Sequence, residues 1–191
     1  MSDFTFYFDL GWHHIISWDA MDHILFIIAL AAIYLMQNWK QVLVLVTAFT
    51  IGHSLTLALS VYDLLRVNSN WVEFLIPVTI IATAVFNLLQ KSYNPVSLRL
   101  NYFLALFFGL IHGLGFANTI RFMLAKDQTI GWGLFGFNVG LEVGQITVVT
   151  AILLVSYLFV TILKVKRTWW VYTLSCIALC IALKMAIERF V

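Results

Sequence analysis

The chain has 191 residues, of which 62% are hydrophobic and only 10% charged, and a formal net charge of +2. A soluble domain carries about a quarter of charged residues, so composition excludes one, and a charge this close to neutral gives no sign of a nucleic-acid partner. What remains is an all-α, polytopic membrane helix bundle: a single transmembrane domain over residues 1–191, with about six spans and no room for a separate soluble module.

Residues 1–12 hold Asp3 and Asp9, no basic residue and five aromatics, unlike a signal peptide, which needs a positive start and an apolar core. Residues 1–21 are therefore expected to lie along the outer interface, leading through His13, His14, Trp18 and Asp19 into the first span. Hydropathy places the spans at 22–36, 42–62, 72–90, 100–124, 131–163 and 169–189. The fifth is too long for a straight crossing and must tilt, kink or extend beyond the membrane. All seven tryptophans lie close to a predicted span end, as an aromatic belt requires. The loops after spans one, three and five hold Lys40, Lys91, Arg99, Lys164, Lys166 and Arg167 with no acidic residue. The other side mixes Arg66, Lys126 and Arg189 with Asp3, Asp9, Asp19, Asp63 and Asp127. The positive-inside rule puts the first set in the cytoplasm and both termini outside.

Each of the first five spans also carries polar residues. Asp22 and His23 open span one. His53 sits in TAFTIGHSLTLAL (47–59), with Thr50 and Ser54 as expected hydroxyl partners for its ring. Span three offers Thr79, Thr83 and Asn87 at i, i+4, i+8, with Glu73 near its outer end. Span four holds His112 in FGLIHGLGFA (108–117), where Gly109-x-x-x-Gly113 is the small-residue spacing that lets a neighbouring backbone come close. In span five, FNVGLEVGQ (137–145), Asn138, Glu142 and Gln145 share one face, while Gly136, Gly140 and Gly144 form a second stripe. A polar group at mid-membrane is costly unless it faces a partner or a water-filled cavity. Spans one to five thus supply what an internal hydrophilic site needs, with Ser54, Asn87, Asn138 and Gln145 as supporting groups.

His13 and His14 point about 100° apart on a helix, so at most one of them joins such a site. Phe49-x-x-x-His53-x-Leu55-x-x-Ala58 recurs as Phe108-x-x-x-His112-x-Leu114-x-x-Ala117, which is what a parallel duplication presenting two histidines to one axis would leave. Cys176 and Cys180 lie one helical turn apart in an apolar run and read as packing residues, not as a disulfide framework. Taken singly, the polar residues have bland explanations: a histidine bonding two helices, an aspartate at a helix start meeting the positive end of the dipole, a protonated glutamate paired with an amide. Taken together, neutral imidazoles and carboxylates are the ligand set suited to Ni²⁺, Co²⁺ or Zn²⁺.

The series DHILFIIAL (22–30), TAFTIGHSLTLAL, FGLIHGLGFA and FNVGLEVGQ, in that order and spacing, resembles the HupE/UreJ family, and the likeness runs from Gly11 to about Val149. The resemblance implies a multi-pass bacterial inner-membrane protein associated with hydrogenase and urease maturation, with nickel permease activity attributed to some members. It also implies metal-handling residues: His14, Asp22 and His23 at the outer entrance, His112 and Glu142 within the membrane, and His53 in the matching second-span motif. The chain departs from the family where His14 precedes Asp22, with seven residues (15–21) between them instead of the usual five.

Three functions stay open at this point. One is a permease for a divalent transition metal, nickel or cobalt, as substrate. Another is a zinc-dependent intramembrane hydrolase with Glu142 as general base, although no His-Glu-x-x-His motif is present. The last is a structural or assembly factor. Membrane lipids and a metal ion are the expected partners, and a homo-oligomer or an accessory protein is left open. No ATP-binding motif appears, so transport would be passive, gradient-driven or powered by a partner.

Overall fold

The computed structural model describes the backbone of residues 3–90, 93, 98–124 and 130–190. Among these residues the chain is helical, without strands. The helices are α1 (Asp3–Ile16), α2 (Met21–Ala31), α3 (Trp39–Val61), α4 (Ser69–Leu89), α5 (Leu98–Leu124), α6 (Ile130–Ser156) and α7 (Arg167–Glu188). A 3-10 turn, Trp18–Ala20, joins α1 to α2, and a π-helical stretch, Tyr157–Ile162, prolongs α6. That prolongation is how the long fifth apolar segment is accommodated: it runs from Gly131 to Ile162 over 32 residues.

Among the described residues four helices are long and apolar enough to cross a membrane, and five if α1 and α2 form one broken span bent by 65°. Within α5, the stretch Asn101–Ala117 adds a shorter apolar helix. Trp18, Trp39, Trp71, Trp132 and Trp169 are all exposed close to helix ends, where indole rings sit at a membrane–water boundary.

The beginning of the chain differs from its expected form. Residues 22–36 are helical only to Ala31, and α2, with 11 residues, is about 16 Å long, half of what a crossing needs. The segment before it is a helix packed lengthwise on α6. The glycine stripe of α6 makes this possible. A methyl group on Gly140 would collide with the carbonyl oxygen of Phe8, and Gly136 and Gly144 face Phe4 and Ile15. Pairing of Phe4 with Gly136 and of Phe8 with Gly140 makes α1 and α6 parallel.

A second parallel pair, α3 with α5, forms the centre of the bundle. Its contacts are reciprocal: Gly52 meets Leu106 of α5, while Gly109 and Gly113 meet the carbonyls of Phe49 and His53 of α3. Backbone-to-backbone approach of this kind is what the Gly109-x-x-x-Gly113 spacing predicts. It also sets His53 and His112 at nearly the same level, on two helices running in the same direction.

Candidate metal centre

Four helices each bring one imidazole to the same place. His14 comes from the last turn of α1, His23 from the first turn of α2, His53 from α3 and His112 from α5. The rings of His14 and His23 lie 4.7 Å apart between centroids, those of His23 and His112 5.1 Å, and those of His23 and His53 5.9 Å. One ligand nitrogen from each of His14, His23 and His53 lies within 4.8 Å of the others. A four-coordinate ion with bonds of about 2.1 Å sets its nitrogens ~3.4 Å apart, so closing on an ion requires ring movements of about 1 Å.

The bend between α1 and α2 explains how His14 reaches this cluster across seven residues. Trp18–Ala20 bends the chain by 65°, and the rings of His14 and His23 meet at that bend. His13 lines the adjoining cavity but stands outside the cluster of rings: it is exposed, and its Nδ1 lies 2.8 Å from the Asp9 carbonyl oxygen.

Hydrogen bonding fixes which nitrogen of two of the rings is available. The main-chain N–H of His23 donates to Asp22 Oδ1 at 2.9 Å, and His23 Nδ1 lies 3.0 Å from the same oxygen. The proton is therefore on Nδ1 and the lone pair on Nε2, the carboxylate–histidine arrangement that orients metal-binding imidazoles. Thr79 donates its single hydroxyl proton to the Ile76 carbonyl at 2.7 Å. Its 3.1 Å contact with His112 Nε2 then requires that this nitrogen be the donor, leaving the lone pair on Nδ1.

The nitrogens so freed have nothing to bind. His14 Nε2, His23 Nε2, both nitrogens of His53 and His112 Nδ1 are buried without a hydrogen-bond partner. Thr50 and Ser54, the expected partners of His53, do not serve it; Thr50 donates to the Val46 carbonyl instead. A helix offers its own carbonyl four residues back to a threonine hydroxyl, and that local bond wins over a neighbour on the same face. Leaving one such buried group unpaired costs roughly 1–3 kcal/mol, so the meeting of His14, His23 and His53, with His112 beside His23, fits a site that takes a ligand.

A cavity of about 440 Å³ opens beside these rings, lined among others by His14, Asp22, His23, Glu73, His112 and Arg189. Phe26 and Phe49, stacked with centroids 4.9 Å apart, pack against the His112 ring at centroid distances of 5.3 and 5.1 Å. Arg189, just past the end of α7, lies 3.5 Å from Asp22 Oδ2 and donates to the Glu73 carbonyl at 3.3 Å. Sequence reading placed Arg189 among loop charges only. The signal for it was Pro77, whose missing N–H leaves the carbonyl of Glu73 without a helical donor.

Neither His53 nor Glu142 lines this cavity; His53 belongs to the cluster through its approach to His14 and His23, which Glu142 lacks. Its carboxylate accepts a hydrogen bond from Thr47 of α3 at 2.7 Å. Gln145, one turn further along α6, is buried with its amide nitrogen unpaired, as is the side-chain oxygen of Asn138. Asn87 is also apart from the imidazoles: it donates to the Ala29 carbonyl at 2.7 Å and to Ser175 Oγ at 3.3 Å, tying α2, α4 and α7 together.

A family profile described as HupE / UreJ protein matches residues 1–189, so the chain belongs to the HupE/UreJ family of membrane proteins. No curated protein and no solved structure matches it.

Proposed function

We propose that this HupE/UreJ protein is a permease for a divalent transition-metal cation of the nickel or cobalt type, and that His14, His23, His53 and His112 form its first binding station. The observation that carries this reading is the group of buried imidazoles with unpartnered nitrogens, His14, His23 and His53 within 4.8 Å of one another and His112 beside His23. Neutral imidazole suits nickel, cobalt and zinc and not the hard cations calcium and magnesium. The family is associated with nickel and cobalt transport or accessory functions, which agrees with that chemistry.

The mechanism follows from the geometry. A hydrated cation from the side taken as external by the loop charges meets Asp22 and Glu73 at the cavity wall. Asp22 holds the Nδ1–H of His23, so that the Nε2 lone pair faces the ion, and Thr79 does the same service for His112 from the opposite tautomer. Imidazoles then replace water in the inner coordination shell. Affinity should be modest, since a permease must also release its cargo. The hydrolase reading assigned the general base to Glu142, and that carboxylate is engaged with Thr47 away from the cavity. A purely structural role fits poorly with imidazoles whose nitrogens bond nothing.

The test is nickel and cobalt uptake into proteoliposomes, comparing wild type with His23→Ala and His112→Ala. Saturable uptake by wild type, lost in both variants while each remains folded, is the expected result. Full uptake by either variant would contradict the assignment.

A further inference from the structure

Asp22 divides its two oxygens between two masters. Oδ1 takes both hydrogen bonds from His23, while Oδ2 faces the guanidinium of Arg189 at 3.5 Å. The Asp22 side chain is only 13% exposed and that of Arg189 30%, so the pair is partly withdrawn from water at the cavity wall. A cation at the end of α7 is well placed by the helix dipole alone, but this one turns away to the cavity. The reason is in α4: Pro77 cannot donate to the carbonyl of Glu73, and Arg189 does so in its place. One guanidinium thus anchors to a carbonyl that a proline has freed and is held beside the carboxylate that orients a metal-facing histidine.

We propose that Arg189 is a resident counter-cation that lowers the affinity of the histidine site for divalent metal, and thereby sets how readily the cargo is released. This rests on the permease reading above. Two physical effects act in the same direction. A fixed positive charge at the cavity wall repels an incoming dication through a medium less screening than bulk water. By drawing on the Asp22 carboxylate it also makes that group a weaker acceptor for the His23 Nδ1–H, and a less supported imidazole is a less basic ligand. Release is then built in, since the charge that opposes binding stays in place when the ion arrives.

The experiment is calorimetric titration of the detergent-purified full chain with nickel chloride, for wild type, Arg189→Gln, Arg189→Lys and His23→Ala. Arg189→Gln keeps a donor for the Glu73 carbonyl and removes the charge; it is expected to bind nickel about tenfold more tightly, the lower end of the range for groups that support metal ligands. Arg189→Lys, which keeps the charge, should stay close to wild type. Pro77→Ala supplies the carbonyl with its own helical N–H and frees Arg189 to leave, so it should shift affinity in the same direction as Arg189→Gln, an independent check should the glutamine variant not fold. Wild-type binding that His23→Ala abolishes, with Arg189→Gln equal to or weaker than wild type, overturns the counter-cation role alone. Binding that ignores His23→Ala, or no binding by any variant, overturns the permease reading together with it.

Discussion

Two polar regions of the same bundle differ in one respect that decides what each is for. At one end of α2, near Ala29, the amide of Asn87 donates to Ala29 and Ser175, and the amide of Asn101 donates to the Tyr34 hydroxyl at 3.0 Å. At the other end, around His23, five imidazole nitrogens donate to nothing and accept from nothing. Both regions are buried, and both hold polar groups drawn from three or more helices. The first spends its polar groups on holding helices together, and the second keeps them free. Single unpaired groups such as Gln145 occur elsewhere in the bundle; what sets the second region apart is that its unpaired nitrogens are all imidazole and lie together.

The sharpest way to break this comparison is to remove one group from each region. His53→Leu is expected to abolish saturable nickel binding, a loss of at least ~100-fold, since even the groups that merely support metal ligands are worth about 10–100-fold. It should leave the metal-free protein as stable as wild type or more so, because it deletes two unpaired buried nitrogens. Thermal unfolding in detergent beside metal titration reads both effects. Asn87→Ala should show the reverse of His53→Leu, losing about 1–2 kcal/mol of stability as hydrogen bonds between membrane helices typically do, with nickel affinity unchanged. The smallest effect is expected from Glu142→Gln, which should bind nickel at the histidine site as wild type does, because its carboxylate is held by Thr47. A large loss of equilibrium binding in that variant would place Glu142 in the site after all.

Much of this is legible in the sequence. A histidine in an apolar helix, such as His53 or His112, stands out because the membrane makes a polar ring costly, and the pair Asp22–His23 stands out at a helix start. The Gly109-x-x-x-Gly113 spacing marked a close helix contact and the structure shows its partner to be α3. The rest depended on contacts between distant parts of the chain. The segment before Asp22 carries acids and aromatics and reads as lying along the outer interface; nothing in it names its packing partner, a glycine stripe in α6 well over 100 residues later. A face holding Asn138, Glu142 and Gln145 says that these residues turn inward together, not what lies across from them. Spacing likewise could not show that a tight turn at Trp18–Ala20 would return His14 to His23. Arg189 has no periodicity to mark it, and only the proline of α4 hinted that a donor was needed there.

The most direct test of the central claim is X-ray absorption at the metal edge of nickel-loaded, detergent-purified protein. The histidine site predicts a first shell containing at least three nitrogen ligands at about 2.0–2.1 Å with the outer scattering of imidazole rings, reduced in His53→Leu. A first shell of oxygen alone, with no imidazole scattering and no change in that variant, would contradict it.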